Sequence, residues 1–145
     1  MKLNLHIYLT HPHVACWNFQ ERHRVLLEKN LPDLNIQSFT NSKPFLAQLP
    51  EADLAIVWFF KKEWQEQASR LRLISTPAAG RDWIQLPNLE PENVGMPGHP
   101  DVWFGGFHGS MMAESVLGAA LYFLKAFPLS THMQNQKKWG RIKIS

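Results

Sequence analysis

A chain of 145 residues, 45% hydrophobic and 19% charged, has the size and balance of a compact α/β domain, and neither a disordered nor a fibrous protein is expected. The net charge of +3 comes from 15 Lys and Arg that are scattered, apart from a small C-terminal run (Lys137, Lys138, Arg141, Lys143). No basic stripe or motif of the kind that reads nucleic acid is present, so no nucleic-acid partner is expected. The lone cysteine, Cys16, excludes an intrachain disulfide and a cysteine-based zinc site, and it fits a reducing compartment.

Residues 3–9 alternate Leu, Leu, Ile and Leu with Asn, His and Tyr, the period of a strand and not of a signal peptide. His11-Pro12-His13 breaks the pattern, and residues 18–30 then read as a helix with Phe19, His23, Leu26 and Leu27 toward the core. Pro32-Asp33 stops it. Leu34–Phe39 gives a second strand and Pro44–Leu49 a short helix. Leu54–Trp58 is continuously apolar, as in a parallel strand covered on both faces. A charged helix is expected over Lys61–Leu71, with Trp64 and Ala68 inward, then a fourth strand at Leu73–Ser75. This βαβαβαβ order predicts a parallel sheet with helices on both faces.

Pro87–Pro100 holds four prolines and two glycines and must be loop. Val102–Phe104 is the last expected strand, and a long helix follows from Ser110 to Phe127. It carries two apolar stripes, Met112/Val116/Phe123/Phe127 and Leu117/Leu121/Leu124, and so expects partners on two sides. Glu114, Ser115 and Lys125 interrupt its apolar stretch, which is also short for a bilayer span of about 20 residues. No membrane partner and a cytoplasmic location are expected. A final amphiphilic stretch runs from Thr131 to Trp139.

Ligands of open α/β sheets bind beyond the carboxyl ends of the strands. Four loops leave those ends. His11 and His13 form an H-x-H pair without a third ligand nearby, which favours a plain polar loop over a metal site. Trp58-Phe59-Phe60 reads either as core packing or as the apolar wall of a small-ligand pocket. In Thr76-Pro77-Ala78-Ala79-Gly80-Arg81-Asp82, small residues let the backbone approach a ligand, and successive N–H groups can form an anion nest; Asp82 could cap a short helix. His108, within Gly105-Gly106-Phe107-His108-Gly109, is either a ligand-facing donor or a structural hydrogen-bonding residue.

Two segments together carry a resemblance. Leu71-Arg72-Leu73-Ile74-Ser75-Thr76-Pro77-Ala78-Ala79-Gly80-Arg81-Asp82-Trp83-Ile84 resembles the "LKWIQTPSAGVDHI" type of segment in D-2-hydroxyacid dehydrogenases. Gly106-Phe107-His108-Gly109-Ser110-Met111-Met112-Ala113-Glu114-Ser115-Val116-Leu117-Gly118 is similar to their G-x-H-G-x-x-M-A-E-x-V-L-G helix entry, and Gln136 and Trp139 stand where that family places Gln and Trp. The resemblance implies a flavodoxin-like substrate-binding domain over 1–105. It also implies a linker and long helix over 106–145, leading toward a Rossmann domain. By it, Ala79 and Gly80 hold the substrate carboxylate, His108 matches a position that faces substrate and nicotinamide in some branches, and Trp58, Phe59 and Phe60 belong to the loop of the substrate side-chain pocket. Met112, Ala113 and Glu114 match the helix start that links the two domains, with Met112 on the cofactor side. The helix 110–127 would help form a homodimer.

Two departures qualify this. Arg81 replaces a small apolar residue and puts a cation near the anion site, where it either strengthens carboxylate binding or points to solvent. The 145 residues contain no G-x-G-x-x-G loop, and the family's catalytic Arg, Glu and His lie in a part these residues do not include. The expectation is the substrate-binding half of an NAD(P)-dependent dehydrogenase of small 2-hydroxy or 2-keto acids. It has no catalytic residue, binds no metal or NAD of its own, and is inactive alone. The alternative is a stand-alone carboxylate-binding or dimerisation module. Flavodoxin and receiver domains share the fold but need other residues after the first strand than Thr10-His11-Pro12-His13.

Overall fold

The computed structural model describes residues 2–87, 91–106 and 108–138. Trp139, Arg141, Lys143 and Phe107, singled out above, lie outside the described residues. The chain divides into two compact units, Met1–Gly106 and Phe107–Ser145.

The first unit is built on five parallel strands: β1 (Leu3–Tyr8), β2 (Leu34–Ser38), β3 (Leu54–Val57), β4 (Leu73–Thr76) and β5 (Asp101–Phe104). Their order is β2-β1-β3-β4-β5. Between them lie α1 (Glu21–Asn30), α2 (Ser42–Gln48) and a 3₁₀ turn at Lys62–Gln67. The chain steps one way from β1 to β2 and the other way from β2 to β3. Right-handed crossovers therefore put α1 and α2 on opposite faces, as the alternation predicts.

The α2 face holds the main core. His6, Ala55, Val57 and Ile74 point into it and meet Phe45, Leu49, Phe60 and Trp64, all buried. Ring contacts tie the layers together: Tyr8 stacks on Phe45 at 5.3 Å, and Phe45 meets Trp64 edge-on at 5.8 Å. Trp64 and Ala68 turn inward as expected, but on a 3₁₀ turn and not a long α-helix. The i→i+3 bonds Ala68 N–H to Gln65 O and Leu71 N–H to Ala68 O tighten this connection. β3, expected to be covered on both faces, alternates buried Ala55 and Val57 with half-buried Leu54 and Ile56.

The other face buries Leu5 and Ile7 on β1. α1 is held there differently from its apolar pattern. Val25 and Leu26 are exposed, and His23 caps the helix: its Nδ1 accepts the Gln20 N–H at 3.1 Å while the Gln20 side chain accepts the His23 N–H. Arg24 provides the tether, donating to Ile36 O at 3.2 Å and Ser38 Oγ at 2.7 Å.

At the amino edge of the sheet, Asp53 is buried and accepts Asn4 N–H at 2.9 Å and the Arg70 guanidinium at 3.0 Å. The expected loop after Pro87 turns sharply at Gly98, whose φ of +79° only glycine adopts readily, and whose N–H reaches Leu71 O at 3.0 Å.

The second unit consists of α3 (His108–Leu124) and α4 (Phe127–Asn135). The single helix expected to reach Phe127 stops at Leu124. Pro128 cannot donate to a carbonyl one turn back, and Ala126 takes a left-handed φ of +53° between the helices. Tyr122 stacks on Phe127 at 5.9 Å across the break. No residue of α3 or α4 is buried. Among the described residues no single helix is long and apolar enough to cross a membrane; α3 and α4 together reach that length and composition but are bent by 59°.

His6 sits in the core at 1% exposure, edge-on to Phe39, with Nδ1 unpaired among the described residues. Burial pushes its pKa below the usual 6.5, and the opposing pull of Asp53 and Glu51 is smaller. The unfolded chain therefore binds this proton first, and stability is lost as pH falls below 6.5 toward the folded value. Chemical denaturation at pH about 7.5 and about 5.5 should show a lower midpoint in acid, with the difference reduced in His6→Leu. Equal midpoints for the wild type would contradict the assignment.

Candidate functional site

The carboxyl ends of β1, β3 and β4 release the three loops that compose the site. After β4, buried Thr76 anchors the chain in two ways: its Oγ1 accepts Ala78 N–H at 3.2 Å, and its carbonyl accepts Gly105 N–H at 2.8 Å from the end of β5. Gly105 is required by contact, since a Cβ there would lie 2.4 Å from Pro77 O. Further on, the loop is stitched to the segment after β3, with Phe60 N–H donating to Trp83 O at 2.9 Å and Gln85 N–H to Phe60 O at 2.8 Å.

Between these two pins the backbone is open. The N–H groups of Ala79, Gly80 and Arg81 donate to no acceptor among the described residues, and all three residues are exposed. Successive unengaged amides beyond a parallel sheet make an anion-binding concavity. The Arg81 guanidinium lies over the Phe104 ring, 5.2 Å from its centroid, so the cation rests against the end of β5. The two placements considered from sequence did not include this stacking. Asp82 caps no helix: residues 81–83 form a turn, and its Oδ1 lies 2.8 Å from where a Gly80 Cβ would be.

After β3 the three aromatic residues part. Phe60 is fully buried and Phe59 packs on Trp64 at 5.2 Å, so both serve the core. Trp58, of opposite parity, leaves it and donates Nε1–H to Trp17 O at 3.1 Å. After β1, His11 Nδ1 accepts the N–H groups of His13 (3.2 Å) and Val14 (3.1 Å), a local turn. Among the described residues no group of three or more His, Cys, Asp or Glu could hold a metal.

His108 is half-buried at the start of α3, and Met112 is 65% exposed along it; both belong to the second unit. Gln136 follows α4 and pairs with His132 at 2.9 Å. Sequence reasoning found neither Phe104 beneath Arg81 nor Trp17 against Trp58, because each acts with a partner far along the chain. An open cleft of about 290 Å³ at the amino edge, lined by Leu3, Asp53, Arg70, Arg72 and Pro97, lies at the wrong end of the strands for this site.

No family model matches the chain, and no curated protein matches it. Solved structures do. A D-isomer specific 2-hydroxyacid dehydrogenase family protein from Aeromonas salmonicida subsp. salmonicida is 18% identical, with TM-score 0.65 over 100% of this chain and 43% of that one. An NAD-dependent formate dehydrogenase from Staphylococcus aureus in complex with NAD is 17% identical, with TM-score 0.58 over 97% of this chain and 42% of that one. A cofactor(NAD+)-bound 3-phosphoglycerate dehydrogenase of Entamoeba histolytica is 16% identical, with TM-score 0.56 over 86% of this chain and 40% of that one. The chain thus spans less than half the length of these proteins, and it shares the fold of one part of them.

Gly105→Ala tests the loop geometry. Overpacking against Pro77 O should cost about 1–3 kcal/mol in chemical denaturation and shift the backbone amide resonances of residues 77–81. A variant as stable as wild type would show that the close approach is not required.

Proposed function

We propose that these residues are the substrate-binding half of a D-2-hydroxyacid dehydrogenase, holding the carboxylate of a small 2-hydroxy or 2-keto acid. The observation that carries this is the run of unengaged amides at Ala79, Gly80 and Arg81, pinned at both ends beyond the carboxyl edge of the sheet. The likeness of fold and the Thr76–Ile84 and Gly106–Gly118 motifs support it. Arg81, fixed on Phe104, adds a cation beside the amides without a carboxylate partner of its own among the described residues. His108 and Met112 enter through the resemblance alone, as the substrate-facing and cofactor-side residues. A cytoplasmic location belongs to the same proposal.

The named structures carry NAD or NADPH in the complexes with formate dehydrogenase and with an acyclic imino acid reductase. The residues present here do not fit that group: none of their strand-to-helix connections has the G-x-G-x-x-G spacing, and Met112 is the single cofactor-side candidate. No hydride step is assigned to these 145 residues, which by themselves should be inactive. Calorimetric titration with NADH should give no heat of binding; micromolar affinity would contradict this.

Nitrogen–proton NMR with glyoxylate, pyruvate or glycerate should shift the amides of Ala79 and Gly80 first. Two amide contacts and one nearby cation support roughly millimolar affinity, about 4 kcal/mol. Arg81→Ala should weaken it. Shifts scattered elsewhere would overturn the site.

We further infer a homodimer through α3. Met112, Val116 and Phe123 form one exposed stripe and Leu117, Leu121 and Leu124 another, while Phe127 belongs to α4. Each buried Leu or Phe contributes about 1.5–3 kcal/mol, so an exposed patch of this kind marks an interface. Sedimentation at tens of micromolar should show a dimer or larger species, and Leu121→Glu with Phe123→Glu should move it toward monomer. A wild-type monomer there would contradict it.

A further inference from the structure

The open cleft at the amino edge of the sheet, about 290 Å³ and lined by Leu3, Asp53, Arg70, Arg72 and Pro97, has no part in the carboxylate site. Its volume is near the lower end for small-molecule sites, about 300 Å³. β4 separates the two places. Arg72 precedes that strand and Thr76 ends it, so they lie roughly 13 Å apart at about 3.3 Å per residue.

The charges of the cleft do not cancel residue by residue. Asp53 is its buried member, and folding uses up that carboxylate: Oδ2 accepts Asn4 N–H at 2.9 Å, and both oxygens accept from Arg70 Nη2, at 3.0 and 3.2 Å. Arg70 Nη1 donates to Glu51 Oε2 at 3.1 Å, so both acids are spent on one arginine. Arg72 is treated differently. Its backbone is clamped on two sides, with its N–H donating to Asp53 O and its carbonyl accepting Asp101 N–H, each at 2.9 Å. Its exposed guanidinium pairs with no carboxylate among the described residues. Asp101, joined to it through the backbone, turns its own carboxylate to the Val102 N–H at 2.7 Å.

The remaining lining is apolar and held in place. Leu3 opens β1, and Pro97 rides on a tight turn in which Gly95 N–H donates to His99 O at 2.8 Å and His99 N–H to Met96 O at 2.9 Å. The turn is tied down at Gly98, where a Cβ would lie 3.3 Å from Ser69 O. A guanidinium rooted in a rigid ladder, unmatched by acid and flanked by apolar surface, is weakly screened and free to take an anion. Its planar fork suits phosphate through two parallel N–H···O bonds, and a dianion gains more from it than a carboxylate does. Leu3 and Pro97 favour a phosphate that carries a short carbon chain over a bare one.

We propose that this cleft is a second anion site, which takes the phosphate of a small phosphomonoester on Arg72 and seats its carbon part against Leu3 and Pro97. Arg70, held by Asp53 and Glu51, lines the same cleft and supports the phosphate from beside it. The site is independent of the carboxylate reading, and neither needs the other.

The test titrates the whole chain with glycerol phosphate and with inorganic phosphate at constant ionic strength, followed by nitrogen–proton NMR. Both should give saturating shifts at the amides of Asp53, Arg72 and Gly98 and at the Arg72 Nε–H, with Ala79 and Gly80 unmoved. Glycerol phosphate should bind about threefold more tightly or better, the ratio expected from partly burying one CH₂ group. Arg72→Gln should weaken both at least about tenfold, as expected on losing hydrogen bonds from a charged group. Arg70 is the wrong residue to change, since its loss would leave buried Asp53 without its cation. The wild-type titration decides the matter independently if Arg72→Gln folds poorly. Shifts that rise linearly at lysines and arginines across the surface, or an Arg72→Gln variant that binds as well as wild type, would overturn the site. Equal affinity for the two phosphates would overturn the phosphomonoester assignment. Saturating shifts at Ala79 and Gly80 alone would give phosphate to the arch and overturn the cleft.

Discussion

In an all-parallel sheet every ladder runs out at the same edge, and the backbone groups released there must find partners in the loops or stay open to ligand. Here the amino edge is closed by Asp53, which takes the Asn4 N–H and the Arg70 guanidinium. The carboxyl edge is closed only in part. Thr76 and Gly105 join β4 to β5, and Phe60 joins the β3 loop to the β4 loop at Trp83 and Gln85. What these pins leave over is a short arch whose amides point at no acceptor among the described residues. A buried polar group without a partner is costly, and an exposed one held in fixed geometry is a binding device. The chemistry proposed here follows from that difference between the two edges.

Arg81, stacked on Phe104, gives the arch a cation whose position is set by the ring beneath it. Trp17, after β1, and Trp58, after β3, meet where the strand order reverses.

Much of this was legible in the sequence, and the exceptions have physical causes. Strands β1, β3, β4 and β5 announce themselves because alternation and short apolar runs are local properties. The arch was legible because Pro77, Ala78, Ala79 and Gly80 are small where the backbone must be approachable. His23 misled because its imidazole accepts a backbone N–H as a helix cap, a role that apolar periodicity cannot distinguish from packing. The helix after Gly106 was read too long by ignoring that Pro128 cannot follow α3 without breaking it. For Phe59 and Phe60 the sequence left core packing and a pocket wall both open; Phe59 shares the parity of Ala55 and Val57 and so turns to the core, while Phe60 is drawn in by its bridge to Ile84. The contact of Trp17 with Trp58 could not be read from its neighbours, since it rests on a hydrogen bond from a residue forty-one positions on.

The claim on which the rest stands is that the arch takes a carboxylate through its own amides. A crystal structure of the chain grown with glyoxylate tests it most directly. The account predicts a bound carboxylate with oxygens about 2.7–3.2 Å from the Ala79 and Gly80 nitrogens, the ordinary range for N–H···O bonds. A well-ordered glyoxylate bound elsewhere, with those two amides facing only solvent, would contradict it.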